Sequence, residues 1–392
     1  MRFLTKVLVA VCVVAVGSAG AYAVTQQSAP DQISKPFLLV QGWFNRNYVS
    51  DLYAYGMDGK LIRRLTSEPL PTNELGAIAP GSGDPFFVAN ASAFYGLSLR
   101  LNILKSLHSA NVETPAVSPD GNTVAFLVKV EAPPGAAVPA PGGAGVTNDV
   151  KSPALAVRVV PFLARSLFRP TQFPLSVGVV PSEMTFTPDG EHVLITHWPD
   201  GGTAQLLLFD LTSGASRTVL AQNGLSYYQP VFAPDGKSLL AVREDLNAGR
   251  WSIVSVAWPN ASEPAVIFTS PRGIPLSTPI FLADGKRFLF QQNYALVRAS
   301  LDGKNIESLF GDLEQQDREW SVRGALIDRA RPSRAGWVPP VVTRYFARVE
   351  WRERANPTAS PSADLILIDV QTKRRTSIPM PSGSIRKAVV VE

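Results

Sequence analysis

Cysteine is nearly absent from this 392-residue sequence, and histidine is scarce. The one cysteine, Cys12, lies in an N-terminal apolar run, and the histidines are His108, His192 and His197. Disulfide bonds and thiol catalysis are therefore excluded for the rest of the chain, whose stability must come from a large packed core. Because a metal site needs several converging ligands, we interpret the histidines as surface or strand-end residues and predict no metal and no cofactor.

Charged residues are also sparse, at 18% of the sequence. The formal net charge of +5 is too small to indicate a nucleic-acid partner. Proline and glycine are plentiful instead, with 33 and 29 residues, as many short strands joined by turns require.

Residues 1–23 have the pattern of a secretory signal peptide. Arg2 and Lys6 precede the apolar run, and Ala21-Tyr22-Ala23 supplies a small-x-small cleavage site. We therefore expect an exported chain, periplasmic or secreted. The alternative is an uncleaved inner-membrane anchor at 7–24, since a span of about 18 apolar residues can cross a bilayer.

After a polar linker at 24–35, one repeat dominates the chain from 36 to 392. Its centre is an Asp-Gly turn between short apolar runs, as in Pro230–Arg243 (PVFAPDGKSLLAVR). Proline fixes φ, aspartate bonds its own backbone and glycine accepts a left-handed φ, so the unit is a strand–turn–strand hairpin. The other clear copies are Pro115–Val128, Met184–His197 and Pro279–Gln292, and degenerate ones are Leu75–Asn90 and Arg318–Val349.

A second kind of hairpin alternates with the first, and each inner–outer pair has the length of one propeller blade. We predict an all-β fold, a single β-propeller of seven four-stranded blades, with six blades as the alternative. The outer hairpins are Leu52–Thr66, Phe94–Leu107, Ala154–Phe168, Gln205–Leu220, Trp251–Thr269, Ala295–Phe310 and Asp364–Ile378. The predicted blades are 36–66 plus 384–391, 74–109, 113–170, 178–221, 228–270, 277–310 and 318–379.

The two ends of the chain are predicted to share one sheet. Pro36–Thr66 lacks an innermost strand, while Ser384–Val391 (SIRKAVVV) is a strand without a blade. Pairing the C-terminal strand into the first blade closes the ring and hides the sheet edges. We expect such a propeller to be monomeric.

The inner Pro-Asp-Gly and outer Asp-x-x-Gly hairpins resemble the TolB-type propeller repeats of exported bacterial proteins, over Leu38–Ile378. The same repeats occur in the propellers of prolyl-oligopeptidase-like enzymes. The resemblance implies the fold and leaves the function open. The chain departs from TolB because no α/β domain precedes the strands, and from the oligopeptidases because it has no Gly-x-Ser-x-Gly motif.

Two segments interrupt the repeat. Glu131–Lys151 is rich in alanine, proline and glycine and is predicted to be a disordered loop between the second and third strands of its blade. Asp328–Pro340 is placed inside the inner hairpin of the last blade. The recurrent aspartates are interpreted as turn formers and not as catalytic groups: Asp120, Asp189, Asp235 and Asp284.

Arginine and tryptophan are dense from Arg318 to Arg354. Guanidinium groups and aromatic rings are typical of sites for anions and of protein interfaces. The alternative is a solvated blade surface, partly balanced by acidic residues. We predict a binding site that comprises Arg331, Arg334, Trp337, Arg344, Arg348 and Trp351.

The sequence contains no recognisable catalytic set. We therefore predict an exported, non-enzymatic scaffold or binding protein of the bacterial envelope, which docks a protein or an anionic envelope component on one face. One alternative is an enzyme of lyase or lactonase type with its site in the central channel. Another is a sensor ectodomain tethered to the membrane through residues 7–24.

Overall fold

The computed structural model describes most of the chain from residue 33 onward. Within the described residues, no helix is long and apolar enough to cross a membrane. The predicted signal peptide or anchor, most of the linker and Glu131–Lys151 lie outside the described residues. The described residues are 33–43, 50–66, 74–79, 83–89, 93–101, 103–109, 112–130, 154–163, 169–175, 180–199, 202–260, 263–293, 295–310, 341–342, 344–351, 363–380 and 384–391.

The described residues form 28 strands in seven sheets, each sheet being one blade. Blade one contains β1 (Phe37–Trp43), β2 (Asp51–Tyr55) and β3 (Leu61–Arg64). Blade two contains β4 (Glu74–Ile78), β5 (Pro85–Ala89), β6 (Ala93–Ser98) and β7 (Ile103–His108). Blade three contains β8 (Glu113–Val117), β9 (Thr123–Val130), β10 (Ala154–Pro161) and β11 (Thr171–Pro174). Blade four contains β12 (Val180–Phe186), β13 (His192–Trp198), β14 (Gln205–Asp210) and β15 (Ser216–Leu220).

The remaining blades continue the same order from the axis outward. Blade five contains β16 (Leu225–Phe232), β17 (Ser238–Asp245), β18 (Arg250–Ala257) and β19 (Ala265–Thr269). Blade six contains β20 (Leu276–Leu282), β21 (Arg287–Gln292), β22 (Ala295–Ser300) and β23 (Ile306–Phe310). Blade seven contains β25 (Tyr345–Trp351), β26 (Ala363–Asp369) and β27 (Arg375–Ile378), preceded by the two-residue β24 (Val341–Val342). The last strand is β28 (Ser384–Val391).

Each blade is an antiparallel meander, so its inner and outer hairpin turns lie on the same side of the ring. We call this side the turn face. The innermost strands begin on the other side, where the chain passes from one blade to the next, and we call it the connection face. The residues that line the central channel come from the innermost strands.

The ring is closed as predicted. β28 pairs with β1 and becomes the innermost strand of blade one, with Leu38 opposite Val390 and Val40 opposite Ala388. Each of the seven boundaries between neighbouring blades also contains its own cluster of buried apolar side chains. At the boundary of blades seven and one, Leu365 and Leu367 pack with Tyr55. The seven-blade prediction is therefore confirmed.

The outer edge of blade three differs from the prediction. The outermost strand is Thr171–Pro174, beyond the predicted hairpin Ala154–Phe168, and Thr171 pairs with Val159. The shift accompanies a contact with blade two, because the chain leaves the sheet after β10 and buries Phe162 against Phe86, with ring centroids 4.7 Å apart.

Blade seven has an unusual inner edge. Three of its strands pair in order, while the preceding β24 pairs in parallel with β20 of blade six, Phe281 lying opposite Val341. β24 thus runs in the direction of an innermost strand but bonds to the neighbouring blade. β25 begins at Tyr345. The segment Asp328–Pro340, which was predicted to lie within the hairpin, is outside the described residues.

Gly59 provides a test of the closed ring. It has φ +82° in the turn between β2 and β3, and a Cβ atom there would lie 2.4 Å from the carbonyl oxygen of Pro379. We expect Gly59→Ala to lower the free energy of unfolding by about 2–4 kcal/mol, through the left-handed φ and the clash together. Gly273→Ala is the matched control, since its φ is +77° but its Cβ would meet no atom within 4 Å. In urea denaturation, Gly273→Ala should lower the free energy of unfolding by only about 1 kcal/mol. An equal decrease in the two variants would contradict the close contact between Gly59 and Pro379.

Candidate functional site

The recurrent aspartates are turn residues, as predicted. Each lies at an inner hairpin turn and accepts the backbone N–H of the residue two positions later, at N···O distances between 2.9 and 3.0 Å. Because they belong to four different blades, they do not form one carboxylate cluster. The residues concerned are Asp120, Asp189, Asp235 and Asp284.

His192 follows one of these turns directly, as the first residue of β13, and lies beside two acidic residues. Ligand atoms of His192, Asp189 and Glu191 all lie within 4.8 Å of one another. The two carboxylates are exposed, and Asp189 already accepts hydrogen bonds from the Thr187 hydroxyl and the Glu191 N–H. The carboxylate of Asp189 thus serves the turn in which it lies.

His197 is a strand-end residue, as expected, and it is buried. It lies near the end of β13, at the connection face, but only 6% of the residue is exposed. Neither ring nitrogen has a hydrogen-bond partner in the described part of the chain. Burial lowers the pKa of the imidazole, so the neutral ring is the favoured form.

The predicted Arg/Trp site is only partly within the described residues. Arg331, Arg334 and Trp337 lie outside them, and of Trp351 only the backbone in β25 is described. The structure places the remaining two, Arg344 and Arg348, in different surroundings.

Arg348 packs at the boundary of blades six and seven. Its guanidinium carbon lies 4.2 Å from the ring centroid of Phe310, and the guanidinium of Arg375 lies 4.7 Å from the same ring. Arg375 also donates two hydrogen bonds to the carbonyl oxygen of Leu309, at 3.1 and 2.9 Å. Both arginines therefore contribute to packing between blades.

Arg344 lies at a cleft on the turn face. Its Nε donates to Oδ2 of Asp369 at 2.9 Å, and the same carboxylate accepts the N–H groups of Gln371 and Thr372 through Oδ1. The cleft lies between blades one and seven and has a volume of about 630 Å³. It is lined by Pro36, Met57, Arg344, Tyr345, Leu367, Asp369, Thr372, Arg374 and Thr376.

A second feature lies at the connection face, where the innermost strands are irregular. β-Bulges interrupt the pairing of β4, β8, β12, β16 and β20 near the start of each strand. Thr114 and Gln229 adopt positive φ values at this level, +45° and +51°. Both stand six residues before the turn aspartate of their blade, where blade four has Glu183. In blade four the residue at this position, Glu183, is directed toward blade five.

Glu183 connects the innermost strands of blades four and five. Its Oε2 accepts the backbone N–H of Gln229 at 2.6 Å and the hydroxyl of Thr196 at 3.4 Å. Its Oε1 is shielded from solvent and has no hydrogen-bond partner among the described residues. Desolvation outweighs the hydrogen bonds to the carboxylate and raises the pKa of Glu183 to about 7.

Aromatic side chains stand beside this carboxylate. Tyr228 lies between Trp198 and Trp251, with ring centroids 5.6 and 5.7 Å away. Its hydroxyl donates to Oε2 of Glu244 at 2.8 Å. Burial chiefly raises the pKa of Tyr228, and the charges of Glu244 and Glu183 raise it further. The carboxylates of Glu183 and Glu244 therefore both lie close enough to the Tyr228 hydroxyl to affect its pKa.

Buried polar atoms without partners concentrate at the same level of the ring. In the described part of the chain there are seven such side-chain atoms, and all except one on Arg63 lie near the bulges. They occupy two repeat positions, six residues before the turn aspartate and eight residues after it. They are Thr114 Oγ1, Glu183 Oε1, both ring nitrogens of His197, Arg243 Nε and Gln292 Oε1.

The sequence itself distinguishes Glu183, although the predicted binding site did not include it. Three of the inner hairpins have Thr-Pro or Gln-Pro at the bulge, whereas blade four has Glu183-Met184. Blade four therefore differs from these three blades, because it has a carboxylate at the position where they have a neutral side chain. The predicted site residues came instead from the arginine-rich last blade.

Comparison with known proteins agrees with the fold. No family model matches the chain, and no curated protein sequence matches it. Oligogalacturonate lyase from Vibrio parahaemolyticus is 13% identical with a TM-score of 0.56, covering 86% of this chain and 92% of that one. The periplasmic gluconolactonase of Pseudomonas aeruginosa is 14% identical with a TM-score of 0.50, covering 91% and 99%.

TolB from Acinetobacter baumannii is a more distant structural match. It is 14% identical with a TM-score of 0.46, and the match covers 91% of this chain and 66% of TolB. The chain thus spans slightly less than two thirds of the TolB length. The matches to oligogalacturonate lyase and gluconolactonase show a shared propeller fold, and the function has to be argued from the residues themselves.

Proposed function

We propose that this chain is an exported, non-enzymatic binding protein of the bacterial envelope that docks an anionic component on its turn face. The supporting observation is the cleft between blades one and seven, where two arginines meet apolar walls. Export is supported by the pattern of residues 1–23.

The two arginines of the cleft have different roles in this proposal. Arg344 is oriented by its bond to Asp369, so its position is fixed before a ligand arrives. Arg374 is exposed and has no carboxylate partner among the described residues, so its charge remains available. Pro36, Met57 and Leu367 offer apolar contact beside this charge. Such a cleft suits a carboxylate or phosphate that is attached to an apolar group.

Charge reversal at Arg374 tests the docking site. A photoreactive crosslinker at Thr376, in the cleft, should capture an envelope component in cells. Arg374→Glu should reduce that capture by at least about tenfold, because a hydrogen bond to a charged group contributes about 1.5–3 kcal/mol. Arg217→Glu is the control, since Arg217 is exposed on β15 of blade four. Capture that is equal in both variants would reject the cleft as the docking site.

A second candidate function is an enzyme of lyase or lactonase type with its site at the channel. The observation that favours it is Glu183, whose pKa of about 7 is suited to proton transfer near neutral pH. Turnover of gluconolactone or oligogalacturonate that is lost in Glu183→Gln and retained in Arg374→Glu would favour this function over docking.

A further inference from the structure

Two carboxylates at the connection face have no basic partner. Glu183 and Glu244 are both partly exposed, and neither forms an ion pair with any residue that the structure describes. Arg243 is adjacent to Glu244 in β17, but successive strand residues face opposite ways, and the Arg243 side chain bonds to Tyr227. No basic side chain in the described part of the chain therefore pairs with these two carboxylates, and Glu183, whose pKa is about 7, becomes ionised as the pH rises through neutrality.

The aromatic row supplies a second and independent observation. Trp198 and Trp251 are partly exposed and flank the buried ring of Tyr228. The faces of tryptophan and tyrosine rings attract cations through their quadrupoles, and recognition of organic ammonium groups commonly combines such rings with carboxylates. Here both kinds of group converge, because the Tyr228 hydroxyl bonds to Glu244.

We propose that the connection face between blades four and five is a binding site for an organic ammonium ion. Glu244 accepts a hydrogen bond from the protonated amine, Glu183 contributes the charge of its carboxylate, and Trp198 and Trp251 pack against the apolar body of the amine. This site is separate from the turn-face cleft, since it lies on the opposite side of the ring and in different blades.

The polarity of the groups distinguishes an ammonium from other ligands. Tyr228 already donates its only hydroxyl hydrogen to Glu244. Gln229 directs its backbone N–H to Glu183. The groups beside Tyr228 are therefore carboxylate acceptors, whereas the Nε of Arg243, without a partner among the described residues, lies on the other side of β17, so an anion beside Tyr228 would meet repulsion. A neutral alcohol could hydrogen-bond there but would gain nothing from the charge.

Three probes of similar shape test this proposal: cyclohexylammonium, cyclohexanol and cyclohexanecarboxylate. Titration calorimetry with the purified chain should show the ammonium binding at least about tenfold more tightly than the alcohol, and no binding of the carboxylate. Comparable affinities for the ammonium and the alcohol, or preferential binding of the carboxylate, would overturn the proposal. So would the absence of heat from the ammonium at every soluble concentration.

Matched variants locate the site. Glu183→Gln and Glu244→Gln keep the side-chain shape and should each weaken ammonium binding by about tenfold. Trp251→Leu should weaken it less, through lost ring contact. Glu191→Gln, which removes an acid on the turn face, should bind the ammonium as tightly as the parent chain does. Circular dichroism checks that each variant is folded. Unchanged affinity in the Glu183→Gln/Glu244→Gln double variant would exclude this mouth as the site.

Discussion

Removing residues 384–392 should prevent the chain from folding to a stable ring. β28 supplies the innermost strand of blade one and buries four apolar side chains, of Ile385, Val389, Val390 and Val391. Burial of one such side chain is worth about 1.5–3 kcal/mol, so the four together match a typical folding free energy of about 5–15 kcal/mol. Thermal denaturation followed by circular dichroism should show no cooperative transition for the truncated chain.

A single substitution measures the same closure without deleting the strand. Ile385 is 1% exposed and packs with Leu38 and Leu365 across blades one and seven. We expect Ile385→Ala to lower the free energy of unfolding by about 2–4 kcal/mol. Ile62→Ala is the matched control, because Ile62 lies on the outermost strand of the same blade and is 44% exposed. Ile62→Ala should lower the free energy of unfolding by no more than about 0.5 kcal/mol. A folded, fully stable truncated chain would show that the ring does not depend on β28.

The repeat made this fold predictable because its information is local. An Asp-Gly turn determines the hairpin around it, and the number of hairpins determines the number of blades. The features that were missed depend on contacts between distant residues. The displacement of β11 accompanies the burial of Phe162, and β24 bonds to the neighbouring blade, so neither position follows from a hairpin pattern.

The candidate sites were harder to predict for the same reason. Arg344 was identified from its sequence neighbourhood, but its partner in the cleft, Arg374, comes from the next hairpin, and Arg348 packs elsewhere. Glu183 is bonded to Gln229, a residue 46 positions away in another blade. Charge density along the sequence indicates the composition of the surface. It does not show a site between two blades, because such a site forms only where the bulges bring residues of different repeats together.

Replacing Glu183 by glutamine should make the protein more stable at neutral and alkaline pH. In the folded chain its pKa is raised from 4.5 to about 7, whereas in the unfolded chain we expect the ordinary value. Between these two values the folded chain retains a proton that the unfolded chain has released. The free energy of unfolding therefore decreases by about 3 kcal/mol as the pH rises from 4.5 to about 7, and it stays at the lower value above pH 7.

Glutamine removes this loss because it stays neutral while keeping an amide oxygen for the N–H of Gln229. Urea denaturation at pH 4.5, 6 and 8 should thus show that Glu183→Gln gains stability over the parent chain as the pH rises, reaching about 2–3 kcal/mol at pH 8. Glu191→Gln, on the exposed turn of the same blade, should retain the parent slope, since it leaves Glu183 in place. If the two variants follow the same pH dependence, the carboxylate of Glu183 is ionised at neutral pH and its site is better solvated than the bonding of Oε2 and the shielding of Oε1 indicate.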